Sequence, residues 1–557
     1  MESKSPTSSS RCTRPLHVVV PLVIAALLVG VVPSMASASG FNPKLMSAAQ
    51  MRKLSRHVAN PGELNPAARQ AKQRGYLPKS QAQYEREKAR AARRAEARRA
   101  LTAPVGGPLA PAIVPGRSFQ GINETNHAPP DETGAVGTTR FIELVNSRFA
   151  IYNKTSNTPV ATGSLDSLVG AGATDSVFDP QIIWDPTTNR FYYAADDVVS
   201  PAQNILAFGF SKTATPTGAA SFCKYGLNFG SLFPDYPKLG DSRFFQIIGS
   251  NVFDAGGSFV GSDLAAISKP PAGSACPSIN NLKIDDNGPL LMSANNPSNP
   301  AFTPVAANQM DNNATGWAVS RSGNLPATKL GLFKVTRAAN GAPVIPAAAA
   351  SQVTVPSYNA PANAPQKGSV NRIDTNDSRP TQAVAAVDPG HGNKFAIWTQ
   401  HTTSGGAGAQ VRWYEIDPAA HSVLQKGTVT SPSLFEFNGA ISPNRRVNGA
   451  TTGGGNAMLM NFNTSSAATF PSIKMVSKVG GGAQSGQVLV KTGKTLSGFD
   501  CSRVATTGSC RWGDYAAATP DPSTANRIWN VSQFAVGTGS GTQGNATSRT
   551  QIFLARP

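Results

Sequence analysis

The sequence predicts an all-β chain folded as a single β-propeller of about six to eight four-stranded blades, and three observations carry that reading. The first is the stretch FDPQIIWDPTTNRFYYAADD, Phe178 to Asp197, which has the chemistry of strand, turn, strand. Asp185 can bond its own backbone two residues on, Pro186 presets φ in the turn, and Asn189 tolerates a left-handed conformation before Arg190 begins the return strand. The second is that Ile182-Ile183-Trp184 and Phe191-Tyr192-Tyr193 are apolar on both faces, as expected of strands packed between two neighbours. The third is recurrence. Arg379 to His401 repeats the unit with Asp388-Pro389, Asn393-Lys394 and Phe395 to Trp398, and Asp514 to Phe534 repeats it with Asp521-Pro522, Asn526-Arg527 and Ile528-Trp529. Looser copies begin at Thr133, Asp235 and Asn438, a further blade is read from Gly316, and the interval from Asp254 to Asn371 has room for one or two blades. The recognisable turns lie roughly 50 to 80 residues apart, a blade-like spacing. A β-sandwich with several Asp-Pro turns is the competing architecture.

From the start of the chain, Lys4, Arg11 and Arg14 precede an apolar run from Val18 to Val32, followed by Ala36-Ser37-Ala38. That is the layout of a secretory signal peptide over residues 1–38, cleaved after Ala38, and the apolar run is short for a membrane span. The mature chain is therefore expected to be secreted, extracellular or periplasmic. Residues 39–102 turn to Ala, Arg, Lys and Gln and end in KSQAQYEREKARAARRAEARRAL from Lys79. Helix formers fill this arm but no apolar stripe runs along it, so it is expected to be helical or disordered, solvated, and without effect on the stability of the folded part. A pro-segment and a basic arm that contacts anionic polymers are the other readings. Residues 103–117 read as a Pro-rich linker, and 118–557 as the propeller.

The net charge of +19 is concentrated at the front. Residues 1–117 hold 19 Lys plus Arg against 5 Asp plus Glu, which leaves +5 for the propeller. So weak an excess gives no footprint for nucleic acid. Of five cysteines, Cys12 lies in the leader, and Cys223, Cys276, Cys501 and Cys510 form an even set that fits two disulfides in an oxidising compartment. Nearness in sequence favours Cys501 with Cys510 and Cys223 with Cys276. Chain entropy assigns roughly 2.7 kcal/mol to the short loop and about 4 to the long one.

Several motifs in combination resemble a group of large exported bacterial β-propeller proteins. They are Phe119-Gln-Gly, Pro129 to Gly137, Val145 to Tyr152, Phe233 to Gly240, Val411 to Glu415 and Arg511-Trp-Gly-Asp-Tyr515. The group is distantly similar to the sialidase-type propellers, so the resemblance implies fold and export. The Ser-x-Asp-x-Gly-x-x-Trp turn repeat of sialidases is missing here.

No reaction is written in the motifs. The six histidines show no HExxH, and His391 and His401 flank a strand; no metal site is expected from them. Asp285-Asp286-Asn287-Gly288 and Asp374 to Asp377 offer oxygen ligands for calcium without the full calcium-loop spacing. Gly453 to Gly455 lacks the Lys and Ser or Thr of a phosphate loop, and no G-x-S-x-G elbow occurs. What stands out is a set of charged residues on different blades: Arg148, Arg243, Arg379 and Arg511 with Asp235, Asp377 and Asp514. Gathered at the axis, arginines and carboxylates could clamp and hydrolyse an acidic sugar; paired between blades, they would only lock the ring. Two functions follow: a non-enzymatic binding platform for a cell-surface or extracellular ligand such as a glycan, with Arg148, Asp235, Arg243, Arg379, Arg511 and Asp514 as ligand-binding candidates, or a sialidase-like glycan hydrolase using the same set.

Overall fold

The computed structural model describes residues 40–55, 81–99, 113–124, 129–172, 175–445, 454–498, 501, 509–536 and 548–557, all within one compact unit, Ser39–Pro557. The expected signal peptide and most of the expected linker lie outside the described residues.

Seven blades, each built on four antiparallel strands, follow one another around a ring, and three of them carry a short fifth strand, of which Asn308–Gln309 pairs in parallel. Their innermost strands are Thr133–Val136, Ser176–Asp185, Phe233–Asp241, Ala301–Ala306, Pro380–Asp388, Phe435–Pro443 and Ala517–Pro520, and we number the blades 1 to 7 in that order. Blade 7 closes the ring. Three of its strands, Ala517–Pro520, Ile528–Ala535 and Ser548–Arg556, come from the C-terminus, and its outermost strand is Val114–Glu124, which pairs antiparallel with Ser548–Arg556. The propeller therefore begins at Val114 rather than at residue 118, because the end of the supposed linker is a strand. The stretch between Asp254 and Asn371 holds the outer half of blade 3, the whole of blade 4 and part of a small three-stranded sheet, Ala364–Gln366, Ser369–Ile373 and Ser509–Cys510.

The pleat explains why the strands are apolar on both faces. Ile182 and Ile183 are adjacent and point to opposite sides: Ile182 and Trp184 pack toward blade 1, with Ile142 and Ile151, while Ile183 packs toward blade 3, with Leu239 and Ile248. Each neighbouring pair of blades shares such a cluster, from blades 3 and 4 around to blades 7 and 1.

The Asp-Pro turns fold as their chemistry dictates. Asp185 Oδ1 accepts from the Thr187 amide at 2.9 Å, Asp388 Oδ1 from Gly390 at 2.6 Å, and Asp521 Oδ1 from Ser523 at 2.8 Å. Asn189, Asn393 and Asn526 close the three turns with φ of 58°, 60° and 62°. Both disulfides form, Cys223–Cys276 and Cys501–Cys510; the first joins the outer strand of blade 2 to a loop of blade 3.

The arm departs from expectation. Lys44–Ser47 adds a fifth strand to the outer edge of blade 2, and its Met46, together with Met51 of the following helix Ala48–Ser55, enters the core between blades 1 and 2. Gln81–Arg99 is a helix that is docked. Tyr84, Lys88, Ala91 and Ala95 recur at helical spacing on one buried face, where the alanines pack on Ala362, Ala364, Phe437 and Trp512. Only two of these four are alanines and the other two carry polar tips, which is why no apolar stripe is visible in the sequence. Deleting residues 40–110 should therefore lower the melting temperature clearly, since Met46, Met51 and Tyr84 each bring about 1.5–3 kcal/mol of burial. A differential scanning calorimetry trace unchanged by the deletion would contradict this placement.

Candidate functional site

All seven inner strands start at the same end of the channel, and most of them start with the same irregularity. Asp179, Tyr236, Thr303 and Asn438 have φ of 50°, 60°, 54° and 51°. At each of these the pairing with the second strand skips, between Phe178 and Gln181, Asp235 and Lys238, Phe302 and Val305, and Phe437 and Ala440. Such bulges re-aim side chains. In the sequence they are FDPQ, DYPK, FTPV and FNGA, a repeat as regular as the Asp-Pro turns but spread over dissimilar residues. Asp131 and Ser378 are also left-handed, with φ of 46° and 71°, just ahead of the inner strands of blades 1 and 5.

The result is a mouth packed with charge. Of the six ligand-binding candidates, four come together there: Asp235, Arg379, Arg511 and Asp514 are joined by electrostatic coupling around one buried centre. Arg148 and Arg243 do not join them. Arg148 is exposed at the start of the third strand of blade 1, and Arg243 is exposed in the turn at the far end of blade 3, its guanidinium 5.3 Å from the Phe244 ring. Sequence order placed them in the right blades but could not say which strand or which end they occupy.

The arginines at the mouth are paired. Arg379 grips Asp377 through Nε at 2.8 Å and a terminal nitrogen at 2.9 Å, and Arg321 of blade 4 reaches the same carboxylate at 3.4 Å. Arg511 bonds Asp514 at 2.8 Å. The Asp514 amide donates to Asp131 Oδ1 at 2.7 Å, which ties blade 7 to blade 1. Hydrogen bonds also cross the axis: Tyr236 Oη of blade 3 donates to the Asp514 carbonyl at 2.9 Å, and Tyr515 Oη of blade 7 donates to the Pro180 carbonyl of blade 2 at 3.0 Å. Lys238 Nζ lies 4.0 Å and 3.4 Å from the Tyr236 and Tyr515 ring centroids, a cation held on two π faces.

Asp179, Asp196 and Asp235 form an acidic knot, with one oxygen from each lying within 4.8 Å of the others. Burial, then the neighbouring carboxylates, pushes Asp179 up to about 8; burial, partly offset by Arg379, pushes Asp235 up to about 8. Asp196 is raised for the same reasons, and burial pulls Lys238 well below the usual lysine range. Asp377 behaves oppositely: burial would raise it, but Arg379 and Arg321 hold it below the usual carboxylate range. The knot can therefore hold protons near neutrality, or oxygen ligands for a cation.

The arm helix covers one side of this mouth. Tyr84 Oη donates to Asp374 Oδ1, and Lys88 Nζ lies 3.2 Å from the same carboxylate and 3.0 Å from Thr375 Oγ1. Beneath it, a cavity between Asp374, Arg379, Phe437 and Asp514 measures only about 10 Å³, and the channel below, at Lys238, Gln382 and Ala517, about 30 Å³. These are spaces for one or two waters.

A far larger cavity, about 680 Å³, opens at the seam between blades 7 and 1. Arg117, Lys154, Arg527 and Arg556 line it with Asp521 and Trp529. Asp521 is neutralised by Lys154 at 2.7 Å, so the remaining charge is positive. The sequence hid this site because closure brings Arg117 beside Arg527 and Arg556 from the other end of the chain.

No family model matches the chain, and no curated protein matches it in sequence. Among solved structures it is similar to the Dos1 propeller at 10% identity and a TM-score of 0.35, over 80% of this chain and 95% of that one. Drosophila Plexin A, solved in complex with Semaphorin 1b, gives 7% identity and a TM-score of 0.35 over 80% of this chain and 87% of that one. The WD40 domain of SCAP from fission yeast gives 10% and 0.29 over 74% and 79%. The assignment of seven blades rests on the sheet order and ring closure described above.

A pH dependence follows from the knot. Asp179 and Asp235 titrate higher folded than unfolded, so the stability they contribute is fully present below the ordinary carboxylate range and is lost as pH rises toward about 8. Chemical denaturation should show stability falling from pH 5 to pH 8, by at most about 1.4 kcal/mol per pH unit for each group. Asp179→Asn, which suits the left-handed backbone there, should flatten the slope; an unchanged slope would mean that the knot is ionised throughout.

Proposed function

We propose that this chain is an exported, non-enzymatic β-propeller that binds an anionic extracellular ligand, such as a carboxylated or sulfated glycan, in the seam cavity between blades 7 and 1. The observation that carries the reading is the contrast between the two sites. The seam offers about 680 Å³ and three cationic side chains without a carboxylate partner in the cavity lining, Arg117, Arg527 and Arg556, whereas at the mouth Arg379 and Arg511 are already paired with Asp377 and Asp514 around cavities of about 10 and 30 Å³. Small-molecule sites fall in the size range of the former, and guanidinium groups match carboxylate and sulfate oxygens. Export is supported by the signal-peptide pattern and the two disulfides. Among the described residues, no helix is long and apolar enough to cross a membrane.

A hydrolase reading draws on one observation: Asp179 and Asp235, both raised to about 8, stand near Arg379 and Arg511 as a protonated acid stands near a substrate clamp. It requires the arm helix to leave the mouth so that a sugar can enter.

The test is binding of polygalacturonate and of sialyllactose to the full chain at low salt. Arg117→Glu with Arg527→Glu should weaken binding at least ~10-fold, on the scale of losing a charge-assisted contact, with the melting temperature unchanged. Wild-type protein that retains neither probe beyond a neutral dextran, or a double variant that binds as well as wild type, would contradict the seam assignment. Release of sialic acid by protein lacking residues 40–110 would favour the hydrolase.

A further inference from the structure

The three Asp-Pro turns are equivalent in position, and two of them are neutralised in the same way. In each case a lysine at the end of the third strand of the following blade reaches back to the turn aspartate. Lys269 of blade 3 lies 2.9 Å from Asp185 of blade 2, and Lys154 of blade 1 lies 2.7 Å from Asp521 of blade 7. The ion pair clamps one blade to the next.

The third turn departs from this rule. The lysine in the corresponding place, Lys478 of blade 6, donates instead to the Gly480 carbonyl at 2.5 Å, and among the described residues it makes no ion pair with Asp388. In its stead stand an imidazole and a second carboxylate, both from blade 5. His391 Nδ1 lies 2.6 Å from Asp388 Oδ2 and 3.6 Å from Glu415 Oε2. One ligand atom from each of the three residues lies within 4.8 Å of the other two. Asp388 and Glu415 are enclosed, whereas the His391 side chain is 34% exposed. Glu415 Oε2 accepts from Gln425 Nε2 at 2.7 Å, while Glu415 Oε1 is buried and receives no hydrogen bond from a donor group, the carboxyl lying within hydrogen-bonding reach of Asp388.

We propose that Asp388, His391 and Glu415 form a binding site for a divalent transition cation of the Zn²⁺ type. One imidazole nitrogen and two carboxylate oxygens converging from one turn and one strand are the donor types such a cation takes at about 2.0–2.2 Å. A bound ion would meet the orphaned Glu415 oxygen, and it would replace at this turn the positive charge that Lys154 and Lys269 bring to the other two. The exposed edge of His391 leaves the remaining coordination positions toward solvent, open to water or to a ligand donor.

The experiment is calorimetric titration of Zn²⁺ into untagged, EDTA-stripped full-length protein, with melting curves before and after addition. The expected result is one equivalent bound and a rise in melting temperature that EDTA reverses. His391→Ala and Glu415→Gln should each abolish both effects while melting like the stripped wild type, and His421→Ala, at an exposed histidine of the same blade, should change neither. Wild-type protein that binds no Zn²⁺, or binding that survives both site variants, overturns the proposal. If either site variant fails to fold, the other and the EDTA reversal in wild type decide.

Discussion

A propeller has no free choice about its ends. Seven blades bury their faces only against one another, so the ring is stable only if the last blade meets the first, and here that contact depends on Val114–Glu124 hydrogen-bonding to Ser548–Arg556. Open the seam, and the clusters around Phe119, Phe141 and Trp529 on one side and around Phe534 and Phe553 on the other lose a wall. The seam also creates a large cationic cavity, so ring closure and the proposed binding site share one set of elements.

Closure also dictates the chemistry of the axis. Inner strands crowd together there, and their bulged starts aim side chains at a space with little room for water. Carboxylates placed in such a space must be paired or protonated. Asp377 is paired, by Arg379 and Arg321; Asp179, Asp196 and Asp235 instead sit close together and titrate high. Removing one partner of a buried pair typically costs 3–5 kcal/mol, because the other charge is left uncompensated. The arm helix extends the same logic, with Lys88 pairing with Asp374 at 3.2 Å and adding to the pull of Arg511 from the ring.

The Asp-Pro turns were legible because their mechanism is local: an aspartate that bonds its own backbone and an asparagine that accepts positive φ need no neighbours to be recognised. The disulfide pairing followed from spacing for a similar reason. The bulges above the channel were missed because Asp179, Tyr236, Thr303 and Asn438 share a backbone conformation and no side-chain type. The docking of the arm was missed because the buried face of its helix is Tyr84, Lys88, Ala91 and Ala95, which no hydrophobic periodicity records. Arg379, Arg511, Asp235 and Asp514 could be gathered at one place by assuming that inner strands converge; Arg148 and Arg243 show the limit of that assumption, since a residue's height on its blade is set by register, which only the pairing partners fix.

The N-terminal arm is built into the closed ring and forms part of its charged mouth. Amide hydrogen exchange of the full chain, read residue by residue, tests it most directly. Amides between Tyr84 and Arg98 should exchange far more slowly than those of an isolated helix of that length, with protection approaching that of the inner strands. Exchange of those amides at the rate of an unstructured peptide, with the blades still protected, would contradict it.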